Sequence, residues 1–214
     1  AWFRRSGVMR PNDGSWGVAE RLVVTEGNEA LDKIYTSFPA WTEHRGYSVI
    51  EQRRADCNFE VVWLFLLAYE AFGNRRDYDT AVNLLDFLYF RSGLLNRHQA
   101  SFPAGAWKWS HIQWTPTFWF DDNGWNGAIS LWIARKYPEL DRRYALTRWG
   151  LTLTDSLSNG LTRTLDHPNP AYPGQWTDPR ASWAGNVQLP HWGSLACLAL
   201  TAAHAVQPKA DYAT

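Results

Sequence analysis

Two adjacent carboxylates, Asp121 and Asp122, follow directly on an aromatic run and are the residues best suited to chemistry. Neighbouring carboxylates can differ in pKa, so that one is ionised while the other keeps its proton. Cleavage of a glycoside needs that division, with an acid for the leaving oxygen and a nucleophile or base opposite it. Aspartate is also favoured in the first turn of a helix, which gives a purely structural interpretation equal weight.

Three further positions are candidates for the same site. Asp56 is a third catalytic candidate because it occupies the place of Asp121 in an internal repeat, although helix capping explains it equally simply. His111 stands between tryptophans and could bind a hydroxyl or carboxylate, or be an ordinary loop histidine. Arg54, like Arg53, could face an acidic sugar or simply be solvated.

Aromatic residues are unusually frequent, with 14 Trp, 9 Tyr and 10 Phe in 214 residues. Indole rings stack on the apolar faces of sugars, whereas a core is filled more simply by aliphatic side chains. We therefore expect a sugar-binding surface formed by seven tryptophans together with His111 and Arg54. The tryptophans are Trp107, Trp109, Trp114, Trp119, Trp125, Trp176 and Trp183.

Charge and motif content exclude several classes. With 21 basic and 21 acidic residues the chain has no net charge, which argues against a nucleic-acid partner. Neither a metal-ligand spacing nor a phosphate-binding loop occurs, so we expect no metal and no cofactor. No apolar run is long enough to span a membrane and no signal peptide is recognisable, which leaves cytoplasmic and secreted locations equally open. Cys57 and Cys197 are expected to be buried thiols.

Apolar residues recur with helical spacing in five segments, and no alternating pattern rivals them. The sequence therefore predicts an all-α fold. The residues expected to face inward are Phe59, Val62, Trp63, Leu66 and Leu67; Ala81, Leu84, Leu85 and Leu88; Trp125, Ala128, Ile129, Trp132 and Ile133; Leu146, Trp149, Leu153 and Leu157; and Trp192, Leu195, Ala196, Ala199, Ala202 and Ala203.

Helix boundaries are predicted from capping residues. Asp56 is expected to cap the first helix, Asp77 or Asp79 to begin the second, and Asn159-Gly160 to end the fourth. Between these helices we expect long irregular loops over residues 16–47, 102–120 and 164–189.

The first helix of each pair begins near Asp56, Asp121 and Asn186, and both intervals are 65 residues (121 − 56 and 186 − 121). A fixed period of this size indicates a repeat architecture, here of helical hairpins at about 56–91, 121–158 and 186–207. The chain is thus expected to form a single hairpin-repeat domain over residues 1–214. Three hairpins would make about half of a six-hairpin ring, which further chain or self-association would complete.

The motif Trp119-Phe120-Asp121-Asp122-Asn123-Gly124-Trp125 resembles that of the family 76 endo-α-1,6-mannanases, which belong to the six-hairpin, or (α/α)6-barrel, glycosidases. This resemblance implies a retaining glycoside hydrolase acting on an oligo- or polysaccharide. It further implies that Asp121 is the nucleophile and Asp122 the acid/base.

Other members of the same superfamily give an alternative. Unsaturated glucuronyl hydrolases carry aspartates on successive hairpins, an arrangement similar to Asp56 and Asp121, with Arg53 or Arg54 then facing a uronate. Two further hypotheses are an (α/α)-barrel sugar epimerase, for which His111 and His191 would be the catalytic pair, and a carbohydrate-binding segment without catalysis.

Overall fold

The computed structural model of the chain describes residues 1–38, 40–98, 103–112, 116–166, 182–185 and 190–213. The backbone divides into two compact units. The first comprises Ala1–Ser92 and Ser110–Ile112, and the second comprises Gly93–Trp109 and Gln113–Thr214. The domain predicted over residues 1–214 therefore corresponds to two units, which are described separately.

The first unit combines a helical hairpin with a small antiparallel sheet in which β3 lies between β1 and β2. Its elements are α1 (Trp2–Arg5), β1 (Arg21–Val24), α2 (Leu31–Ser37), β2 (Trp41–His44), β3 (Tyr47–Ile50), α3 (Ala55–Phe72) and α4 (Arg75–Asp86). Helix α4 continues into a π-helical turn, Phe87–Arg91, and packs along α3.

The second unit is built around one central helix that packs against two others. Its elements are β4 (Thr117–Trp119), α5 (Phe120–Lys136), α6 (Pro138–Tyr144), α7 (Leu146–Asp166), β5 (Ser182–Ala184), α8 (Pro190–Val206) and a 3-10 turn (Ala210–Tyr212). Helix α5 contacts both α7 and α8, while β4 and β5 form a short parallel pair.

The helices expected from apolar spacing are all present, and most of the residues predicted to face inward are buried. In α7, for example, Leu146, Trp149, Leu153 and Leu157 all lie in the core. The alanine stripe of α8 packs with Ala128 and Leu131 of α5. The predominantly helical character of the fold is thereby confirmed.

The five short strands were not predicted. Each has only three or four residues, too few for alternation to stand out against the flanking sequence. Three of them, with α2, occupy most of the region 16–47 that was predicted to be a loop. Strands β4 and β5 lie in the two other predicted loops.

Several predicted boundaries were wrong. Helix α3 begins at Ala55, so Asp56 lies within its first turn rather than at its cap. Asn74 caps α4, because its side chain accepts a hydrogen bond from the backbone N–H of Arg76. Gly160 lies within α7, where a Cβ would crowd Trp183 and Phe120. That glycine permits close packing and does not end the helix.

The 65-residue period is visible in the backbone, since α3 begins at Ala55 and α5 at Phe120 (120 − 55 = 65). The third predicted start, Asn186, lies outside the described residues. Two equivalent asparagines make the period chemically explicit. Asn58 binds the backbone N–H and C=O of Val18, and Asn123, 65 residues later, binds the same two groups of Trp107.

Helices α5 and α8 approach each other closely through small residues. A Cβ on Gly124 would collide with the backbone of Leu195, and one on Gly127 would lie 3.2 Å from the Cβ of Ala199. Contacts therefore advance together along both helices, so α5 and α8 run parallel with their N-termini at the same end. This packing carries the start of α8 to the start of α5.

Candidate active site

The parallel packing of α5 and α8 places a histidine on the carboxylate of Asp121. The Nε2 atom of His191 lies 2.7 Å from Oδ2 of Asp121, although the two residues are 70 apart in sequence. The Asp121 side chain is only 14% exposed, while that of His191 is 66% exposed. The carboxylate is thus sheltered from water and oriented by a ring that solvent and ligands can reach.

Asp121 is not a helix cap. The N-cap of α5 is Trp119, which makes no capping hydrogen bond through its side chain. One oxygen of Asp121 binds His191, and the other, Oδ1, is buried without a hydrogen-bond partner within the described residues. Asp122 follows in the same turn and is buried. The first turn of a helix favours negative charge here through its exposed N–H groups.

Half-exposed aromatic rings lie around this carboxylate. Trp125 is one helical turn beyond Asp121, on the same face of α5, and contacts Trp132 edge to face at a centroid distance of 6.3 Å. Trp192 contacts His191 in the same manner at 5.7 Å. Trp119, just before the helix, is also partly exposed.

Unsatisfied polar atoms accumulate at this end of α5. In the described part of the chain, the indole nitrogen of Trp119, both polar side-chain atoms of Asn126 and Oδ1 of Asp121 are buried and have no hydrogen-bond partner. Buried polar atoms in native proteins almost always have partners, and exceptions often mark functional sites. A polar ligand or ordered water at this end of the helix would satisfy them.

Two of the predicted sugar-binding tryptophans are in the core instead. Trp107 is 2% exposed and Trp183 is 1% exposed. The ring of Trp183 stacks on Phe120 at 4.8 Å. Both side chains therefore have a packing role in place of the predicted binding role.

Asn123 was not predicted to be important, yet it organises the site. Its Oδ1 accepts from the N–H of Trp107 at 2.7 Å, and its Nδ2 donates to the carbonyls of Trp107 and Trp119 at 3.1 and 2.9 Å. It fixes the preceding loop against the helix start that carries Asp121. The shared pattern Asp-X-Asn at 56–58 and 121–123 was the available signal.

The remaining predicted tryptophans divide between described and undescribed residues. Trp109 is partly exposed, and its backbone N–H donates to the carbonyl of Thr117 at 2.8 Å. Trp114 and Trp176 lie outside the described residues.

In the first unit, Asp56 belongs to an ion-pair network rather than to an open site. Arg54 donates to both carboxylate oxygens of Asp56, at 3.1 and 2.7 Å, and to Glu20 at 3.0 Å. Burial and the charge of Glu20 outweigh the effect of Arg54 and raise the pKa of Asp56. Each of the three guanidinium nitrogens already donates to a carboxylate, which leaves Arg54 poorly placed to bind a uronate.

His111 is exposed and lies against the segment before α3. Its Nδ1 accepts from the backbone N–H of Arg53 at 3.0 Å, which puts the proton of the neutral ring on Nε2. His111 also lines an open cavity together with Arg53. It is therefore in a position to meet a ligand in the first unit, as described below.

Two searches within the described residues returned nothing: neither a group of three or more His, Cys, Asp or Glu residues suited to a metal ion nor a helix able to cross a membrane is present there. Comparison of the chain with protein-family models, curated proteins and solved structures gave no match. The argument for function therefore comes from this site alone.

Proposed function

We propose that the protein is a glycoside hydrolase whose reactive carboxylate is Asp121. The observation that carries this proposal is the environment of that side chain. One oxygen is held by the exposed ring of His191, the other has no partner within the described residues, and neither oxygen caps the helix. Carboxylates with unused hydrogen-bonding capacity beside tryptophans are suited to sugars.

In the proposed reaction, His191 donates from Nε2 to Oδ2 and leaves Oδ1 of Asp121 to attack the anomeric carbon. Asp122, in the acid/base role implied by the resemblance to family 76, protonates the departing glycosidic oxygen. Water activated by the same residue then hydrolyses the glycosyl ester and restores Asp121. The N-terminus of α5 supports the carboxylate charge between turnovers.

Aromatic side chains supply the binding surface in this proposal. Trp125 and Trp192 flank the Asp121–His191 pair and are partly exposed, so that a pyranose can stack against an indole face. The unsatisfied groups of Trp119 and Asn126 would take hydroxyl groups. The resemblance makes α-linked mannan the first substrate class to test.

We further propose that the helical hairpins follow the (α/α)6-toroid plan, of which this chain supplies about half. Support comes from the 65-residue interval between α3 and α5, from the equivalent roles of Asn58 and Asn123, and from the parallel course of α5 and α8. In a toroid of this kind, the N-termini of equivalent helices meet on the face that binds substrate.

The proposal is tested by screening α-mannan oligosaccharides and unsaturated uronides for released product. Wild type is compared with Asp121→Asn and Asp122→Asn, and with Asp79→Asn as a control, because Asp79 forms only a surface pair with Arg75. We expect product from wild type and the control, with at least about a hundredfold loss in the other two variants. Equal turnover in all four proteins would refute the assignment. Sugar-dependent changes in Trp fluorescence without product would show binding alone.

A further inference from the structure

The first unit contains an open cavity of about 470 Å³ that is separate from the residues proposed for hydrolysis. Its volume lies within the range of about 300–1,000 Å³ that is common for ligand pockets. The wall combines the N-terminal segment, the sheet, the turn after α4 and the segment 110–112. The lining residues are Arg10, Trp16, Thr42, Glu51, Arg53, Phe87, Arg91, Ser92 and His111.

Positive charge predominates in this cavity. Three guanidinium groups line it, against the single carboxylate of Glu51. Arg53 already pairs with Glu51 at 2.6 Å. Asp13 lies close enough to Arg91 for its pKa to be lowered by that charge, although backbone and side-chain hydrogen bonds from Ser15 contribute more. Together these groups leave an excess of positive charge for an anion to neutralise.

The three arginines retain unused donors. Within the described residues, each guanidinium has at least one nitrogen that makes no hydrogen bond. The bonds that they do make run from Arg10 to the carbonyl of Glu43 and to Nδ1 of His44, from Arg53 to the carbonyl of Trp16 and to Glu51, and from Arg91 to the carbonyl of Asn83. Guanidinium groups bind planar carboxylates through paired N–H donors.

A flat apolar surface lies beside these cations. Trp16 is 56% exposed, and its backbone is held next to the cavity because its carbonyl accepts from Nε of Arg53 at 2.7 Å. Thr42 and Glu51 add a hydroxyl and a carboxylate, linked by a 2.8 Å hydrogen bond. An indole face, a hydroxyl and a carboxylate are the groups that bind a sugar ring and its hydroxyls.

The cavity wall also contains the π-helical turn. The N–H of Ser92 donates to the carbonyl of Phe87 at 2.8 Å, five residues earlier, and Arg91 lies within this turn. Turns of this kind are rare and occur frequently at functional sites. Here the wide turn brings Phe87, Arg91 and Ser92 to the wall of one cavity.

We infer that this cavity binds a sugar unit that carries an anionic group, with a carboxylate as the anion. The anion lies among Arg10, Arg53 and Arg91, and the ring lies against Trp16. The inference does not rest on hydrolysis by Asp121, because every group that supports it belongs to the first unit. It assigns the cavity a binding role for acidic saccharides.

Calorimetric titration of the full chain tests the inference with glucuronate, glucose, glucose 6-sulfate and acetate as probes. Glucuronate should bind more tightly than glucose and acetate. Arg91→Gln should weaken glucuronate binding by at least about tenfold, since it removes a charged contact. The matched control is Arg75→Gln, an exposed arginine on α4 whose carboxylate partner is Asp79, and it should bind as wild type does. Asp121→Asn should also leave binding unchanged.

The other outcomes are equally informative. Tighter binding of glucose 6-sulfate than of glucuronate would overturn the choice of a carboxylate. Acetate binding as tightly as glucuronate would reduce the cavity to a simple anion site and overturn the sugar component. Equal binding of glucose and glucuronate, or normal binding by a folded Arg91→Gln protein, would overturn the inference as a whole.

Discussion

Replacing Asn123 by alanine tests how the structure holds the start of α5 in place. The amide is fully buried and makes three hydrogen bonds to backbone groups of Trp107 and Trp119. Truncation strands the N–H of Trp107, which costs about 1–3 kcal/mol, and weakens the bonding of two carbonyls by about 0.5–1 kcal/mol each. We therefore expect a loss of about 3 kcal/mol in the free energy of unfolding.

Urea denaturation followed by circular dichroism measures this loss directly. With a slope of about 2 kcal/mol per molar urea, the midpoint should fall by about 1.5 M. Hydrogen exchange at the Trp107 amide should accelerate in the variant, which locates the effect. Asn83→Ala is the matched control, because Asn83 makes one exposed bond, at 3.0 Å, to the carbonyl of Asp13. A midpoint for Asn123→Ala no lower than that of the control would refute the reasoning.

Three more predictions concern packing, pH and thiol reactivity. Gly124→Ala should destabilise by about 1–3 kcal/mol in urea denaturation, because the methyl group meets backbone, and Gly150→Ala should cost less because it meets only a movable leucine side chain. Hydrogen bonds and charges from arginines outweigh burial and hold the pKa of Glu51 below its ordinary value of 4.5, so its stabilising effect should be present above that pH and disappear as pH falls; the difference in unfolding free energy between wild type and Glu51→Gln should therefore shrink from pH 7 to pH 3, and a constant difference would contradict this. An aromatic disulfide reagent should modify Cys197, which is exposed, faster than Cys57, whose thiol pKa is raised by burial; mass spectrometry of the labelled peptides would show the reverse order if this is wrong.

The helices could be predicted because their signal is local. Residues such as Leu153 and Leu157 repeat at helical spacing, and a face with that pattern must be buried. The short strands and the π-helical turn could not be predicted, since their hydrogen bonds depend on distant partners. Cys197 shows the same limitation: its apolar neighbours suggested a buried thiol, but it occupies the outer face of α8.

The candidate site was predictable in part. The Asp121–Asp122 pair stands out by type, but the contact with His191 spans 70 residues and depends on how Gly124 lets two helices approach. The fate of Trp107 depended on the hydrogen bonds of Asn123, which no composition argument reveals. Arg54 looked available for an anion until Asp56 and Glu20 were seen to bind it.

The central claim is that Asp121 reacts with a sugar, and trapping of the covalent intermediate tests it most directly. A 2-deoxy-2-fluoro glycosyl fluoride of whichever sugar wild type hydrolyses is incubated with the protein, which is then digested and analysed by mass spectrometry. The account predicts one added sugar mass on the peptide that contains Asp121, and no label on Asp121→Asn. A label on a different carboxylate, or continued hydrolysis by Asp121→Asn at the wild-type rate, would contradict it.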